Sequence, residues 1–271
     1  MKNIILLFVS FCMLSAAGCS SSTNSDSESG PNAMPSLTNG SQPITIYEPE
    51  TINSESETLA DLILFETDNL LLEEETRNTL IQDIDRGLDL IRENEQEKVG
   101  NISVRPPFEM NRLILNVEFD LFETIANVAL NEQIAVFETG FKGFDDLNSL
   151  AAADSFYAHD WSFGSYISIW FDAGINLAQA REKYNAIDEI VSAEFNHNGG
   201  DESNIRAEKV NDITYFVFMR GNGDCPSGCI YEAYFYFSVD ASGYQEFDEN
   251  DAMKLDVFTR LKNKIYLNNS L

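Results

Sequence analysis

The 271-residue sequence predicts an α+β fold, and three observations lead there. Apolar residues recur at helical spacing before residue 100, and they alternate at strand spacing after residue 110. Between 166 and 195 the chain reads as one compact strand–helix–strand unit. A hydrophobic content of 44% with 19 Phe is enough to build a core.

The elements follow in chain order. From about Glu74 to Glu97, Leu80, Ile81, Ile84, Leu88 and Ile91 form one apolar helical stripe. The opposite face carries Gln82, Asp83, Asp85, Arg86, Asp89 and Arg92, so residues 55–105 read as a helical N-terminal part of the domain. Pro106 and Pro107 break the chain. Leu113, Leu115, Val117 and Phe119 alternate with Ile114, Asn116 and Glu118, which predicts a strand with those four residues inward. Leu121–Val136 is partly helical, and Phe144–Ala152 is a short helix with Asp145 and Asp146 near its positive end. Tyr166–Phe171 is a strand, Asp172-Ala173-Gly174 a turn, Ile175–Asp188 a helix and Ile190–Phe195 a strand. The two strands of such a unit are expected to run parallel, joined by a right-handed crossover. If Leu113–Phe119, the helix near 147 and a strand near 155–158 form a first unit, the two together give a βαββαβ, ferredoxin-like pattern. Asp251–Tyr266 reads as a helix with Leu255, Phe258, Leu261 and Ile265 on one side and Lys254, Arg260, Lys262 and Lys264 as a cationic cluster.

The stretch Gly223-Asp224-Cys225-Pro226-Ser227-Gly228-Cys229 lies between two apolar runs. Pro suits the first corner of a type I turn, and Gly228 suits the left-handed position that follows. Cys225 and Cys229 then face each other within disulfide range. In that register Tyr215, Val217 and Met219 face Val239, Phe237 and Phe235 on one apolar side. A zinc site lacks ligands, with only His159 and His197 to add. A redox pair ordinarily has two residues between its cysteines, not three. The expectation is a structural disulfide worth about 2 kcal/mol that staples a C-terminal hairpin.

The address is written in the first residues. Lys2 precedes an apolar run, Ile4–Leu14, that is too short to span a bilayer. Ser15-Ala16-Ala17-Gly18-Cys19 follows and resembles a bacterial lipobox. That resemblance implies a signal peptide over 1–18 and lipidation of Cys19. Ser20 after the cysteine then implies the outer membrane. Residues 19–54 are Ser-, Asn- and acid-rich and are expected to be a disordered tether, about 25–30 Å in typical reach. A single α+β domain is expected over 55–271.

Two further resemblances exist. YISIWFDAGINLAQAREKYNAIDEIVSAEFN (166–196) is similar to the second half of the inhibitory propeptides of subtilisin-like proteases, with Phe195 where Pro is typical. That similarity implies a ferredoxin-like fold and no protease. With its GDCPSGC hairpin the chain also resembles a group of secreted bacterial proteins, of undefined function, carrying GDCPAGC or GDCPSGC.

Chemistry is sparse. With 45 Asp+Glu against 17 Lys+Arg, the net charge of −28 repels a phosphate backbone, so no nucleic-acid partner is expected. Motifs for acyl transfer, zinc hydrolysis or nucleotide binding are missing from the sequence. His159-Asp160-Trp161 is a polar cluster that could line a pocket, the plainer alternative being a surface loop around a buried Trp. Gly199–Glu202 and Asp248–Asp251 offer oxygen ligands without EF-hand spacing. No metal and no cofactor is expected. The function expected is that of a non-catalytic interaction or structural module of the bacterial cell envelope, with the membrane, through its lipid, and an envelope protein as the expected partners. A propeptide-like protease inhibitor or folding aid is the alternative, and an unrecognised hydrolase the third.

Overall fold

A computed structural model describes residues 54–172, 174–198, 203–222 and 231–266. The expected signal peptide, the tether up to Asn53, Cys19, Gly199–Glu202, Cys225 and Cys229 lie outside the described residues. The described chain is α+β, with eight helices and two antiparallel sheets.

Three helices come first: α1 (Glu55–Leu64), α2 (Glu74–Asn94) and α3 (Gln96–Val99). Helix α1 starts with a capping box, in which Ser54 Oγ accepts the Glu57 N–H and the Glu57 carboxylate accepts the Ser54 N–H. Helix α2 buries Leu80, Ile84, Leu88 and Ile91, and it ends at Glu95, short of the expected Glu97.

The first sheet has the order β2-β3-β4-β1-β5. Its strands are β1 (Phe108–Val117), β2 (Ile134–Ala135), β3 (Ala153–His159), β4 (Tyr166–Phe171) and β5 (Ile190–His197). Helices α4 (Phe119–Ala129), α5 (Lys142–Leu150) and α6 (Leu177–Tyr184) connect them. Strands β4 and β5 do not pair with each other: both are antiparallel to β1, which lies between them. They are therefore parallel across it. Strands β1 and β3 stand in the same relation across β4.

One face of this sheet buries Leu113, Leu115, Ile167, Ile169, Phe156 and Phe195 against Leu121, Ile125, Phe144, Leu177 and Tyr184 of the helices. Phe119 corrects the expected strand. It opens α4 instead of ending β1, because Glu118 turns the chain as N-cap, and its ring is 63% exposed. Helix α6 is shorter than expected at both ends. Asn176 caps it by accepting the Gln179 N–H, and the Asn185 side chain turns away to bond the Ala193 backbone.

The second sheet has the order β6-β7-β8-β9, with β6 (Asn204–Val210), β7 (Ile213–Asn222), β8 (Tyr231–Asp240) and β9 (Gly243–Phe247). The expected hairpin register is one residue off. Phe216 faces Phe237 and Phe218 faces Phe235, while Tyr215, Val217 and Met219 face Ser238, Tyr236 and Tyr234. A one-residue slip exchanges the faces of the sheet. Here both faces are apolar and covered. Phe216, Phe218, Phe237 and Val239 pack on α1–α3. Val217, Met219 and Tyr236 pack on the C-terminal helices α7 (Glu249–Ala252) and α8 (Asp256–Tyr266). Leu255 lies in the turn between those helices and is partly exposed, whereas Phe258, Leu261 and Ile265 are buried as expected.

Candidate functional site

Alternation puts the odd-numbered residues of β3 and the even-numbered residues of β1 and β4 on the face of the first sheet away from its helices. At its centre Ser168 is fully buried, although the face itself is open. Arg112 donates to Ser168 Oγ twice, from Nε at 3.0 Å and Nη2 at 2.8 Å. A guanidinium only donates, so the hydroxyl proton points to His159 Nε2, 2.8 Å away. His159 is thus neutral, with its proton on Nδ1. Burial first, and the Arg112 charge second, push its pKa down from 6.5 to about 4. Arg112 also lies over the Trp170 ring at 4.7 Å and pairs with Glu109, whose carboxylate accepts from Asn196.

A Ser–His contact of this length is the geometry of a nucleophile and its base. The rest of the arrangement works against that use. Ser168 Oγ is closed to solvent and already occupied by two guanidinium N–H groups, and no described carboxylate orients the imidazole. The trio pins the middle of the sheet.

The accessible part lies at the β3–β4 tip. His159 stacks on Trp161 at 4.1 Å, and Trp161 on Phe163 at 5.4 Å with the planes 17° apart. Tyr157 leans on His159, and Tyr166 tilts against both Trp161 and Phe163. The ladder runs from buried His159 through Trp161, 39% exposed, to Phe163, 73% exposed. The backbone holds it in place: Val117 donates to Ser165, Trp161 to His159, and Asp160 to Asn131 Oδ1. Gly164 makes room for it, since a Cβ there would meet the Tyr166 ring at 2.4 Å.

Of the residues singled out by sequence, His159 is buried inside the ladder, Asp160 is exposed beside it, and Trp161 is half-exposed instead of buried. The three form a row along a projecting tip and not the wall of a deep cleft. The sequence pointed to neither Phe163 and Tyr166 nor Arg112 and Ser168 as partners. A signal for the first pair was present: Tyr157, His159, Trp161 and Phe163 repeat every second residue. The second pair meets only through strand pairing. Asp248–Asp251 is accounted for by caps and pairs: Asp248 accepts the Asp251 N–H, Glu249 pairs with Lys262, and Asp251 with Lys254. Among the described residues no group of three or more His, Cys, Asp or Glu is placed to hold a metal, and no helix is long and apolar enough to cross a membrane. Comparison with protein-family models, curated proteins and solved structures finds no match for this chain.

Proposed function

We propose that this chain is a non-catalytic binding module, anchored to the outer membrane of a bacterial cell envelope by lipid on Cys19. The observation that carries the binding role is the exposed, pre-stacked ladder of Trp161, Phe163 and Tyr166 on a sheet face that the packed helices leave open. Aromatic rings are costly to expose, and rings already ordered lose little entropy on binding. The test is capture of envelope components by the full chain and by a Trp161→Ala/Phe163→Ala variant. Equal capture by both would end the proposal. The anchor is tested by metabolic palmitate labelling, which Cys19→Ser should abolish.

We read the first sheet as a ferredoxin-like unit extended by the short strand β2; the β3-β4-β1-β5 order and the antiparallel pairing support this. The same feature favours a second reading, a propeptide-like protease inhibitor or folding aid. Failure to slow a panel of subtilisin-like proteases would count against it. A hydrolase centred on Ser168 and His159 has the 2.8 Å contact in its favour and the burial of Ser168 against it. Cys225 and Cys229 are proposed as a structural disulfide, so a Cys225→Ser/Cys229→Ser variant should melt earlier and still bind.

A further inference from the structure

The charges around the aromatic tip limit what can dock there. Three turns meet at this end of the first sheet. Val117 donates to Ser165, and Leu130 and Asn131 lie against Ala158. The tip therefore shares its end of the sheet with Phe119 and with Leu130, which is 45% exposed. Interspersed are Glu118, Asp120, Glu132 and Asp160, all exposed. None of the four is paired with a Lys or Arg of the described residues. Between residues 113 and 180 the only Lys or Arg is Lys142, which is engaged by Asp146. The helix packed on the second sheet differs. On α8, Arg260, Lys262 and Lys264 are all neutralised, by Glu208, by Glu249, and by Glu66 with Glu208.

An apolar, aromatic surface set among uncompensated carboxylates repels nucleic acid, anionic lipid and a second copy of this acidic chain. A neutral glycan would stack on the rings and donate hydroxyls to the carboxylates but leave their charge uncompensated. Arginine uses both, because its planar guanidinium stacks on aromatic faces and forms forked bonds to carboxylates. We infer that the tip formed by Trp161, Phe163 and Tyr166, with Glu118, Asp120, Glu132 and Asp160 around it, docks a basic, arginine-bearing segment of a partner protein. This rests on the binding role proposed above and names its chemistry.

The probe is a synthetic peptide with three arginines spaced by glycines, alongside its citrulline counterpart, which keeps the shape and loses the charge. Trp170→Phe in the full chain leaves Trp161 as the sole tryptophan reporter. The arginine peptide should change Trp161 fluorescence saturably. Its affinity should fall about tenfold or more on raising salt from about 50 to about 500 mM, and likewise in a Glu118→Gln/Glu132→Gln/Asp160→Asn variant. The citrulline peptide should bind at least about tenfold more weakly. Equal binding of the two peptides, no binding of either, or a Trp161 response to a neutral oligosaccharide and not to arginine would each overturn the inference. Envelope capture that needs Trp161 and Phe163 but ignores salt would overturn this inference and leave the binding role standing. Capture that ignores both rings would overturn the two together.

Discussion

The two sheets share antiparallel pairing and differ in what lies on their faces. Strands β6–β9 are covered on both sides, by α1–α3 and by α7–α8, and carry phenylalanines on one face and Val217, Met219 and Tyr236 on the other. Strands β1–β5 are covered on one side only, and the other holds polar bonds and stacked rings. The double-covered sheet commits both faces to hydrophobic cores. The single-covered sheet commits one face to a core and leaves the other open, ordered by Arg112, Ser168 and His159.

Five substitutions would break or sharpen that contrast. Phe218→Ala removes a fully buried ring packed against Phe216 and Phe237. It should cost about 3–5 kcal/mol in a urea melt, while the fraction still folded binds normally. Gly87→Ala comes next. Its Cβ would sit 2.6 Å from the Phe216 ring, and Phe216 is fully buried. Overpacking of about 1–3 kcal/mol should outweigh the gain of about 1 kcal/mol from better helix propensity.

The open face should answer differently. Ser168→Ala leaves His159 Nε2 and two Arg112 N–H groups, Nε and Nη2, without their partner and should cost about 1–3 kcal/mol. The same site gives a pH signature. His159 is held neutral in the fold, with its pKa lowered from 6.5 to about 4. Between those values the unfolded chain binds the extra proton, so this contribution to stability is full above about pH 6.5 and is lost as pH falls toward about 4. His159→Gln should flatten that part of the profile in melts across the window; an unchanged slope would refute the assignment. Phe163→Ala should have the smallest effect on stability, within about 0.5 kcal/mol, because most of its ring faces water. It should nonetheless have the largest effect on binding.

The same contrast explains which parts of the fold were legible. Where one face is open, alternation shows in the sequence, as at Leu113, Leu115 and Val117 and at Ile167, Ile169 and Phe171. Where both faces are covered, apolar residues fill consecutive positions such as Phe216, Val217, Phe218 and Met219, and the pattern cannot choose a register. Edge strands β6 and β9 are not legible because Asn204–Val210 and Gly243–Phe247 are rich in polar residues. The short α6 was signalled by Asn176 followed by Gln179, a capping spacing hidden under an apolar stripe that runs past it. Of the candidate site, the aromatic repeat through Trp161 was written locally. The Arg112–Ser168–His159 trio was not, because its members come from three strands.

Helix α1 places Leu59 and Ala60 in one core and Leu62 in the other, with Phe65 at its C-cap stacked near Phe108. Beyond its end, Asn176 donates to the carbonyls of Leu64 and Thr67, fastening it to the start of α6. A pull applied to the chain at Ser54 enters the domain through this one helix. A mechanical load would therefore be divided between two hydrophobic cores at once, and the domain would resist being peeled open sheet by sheet from that end.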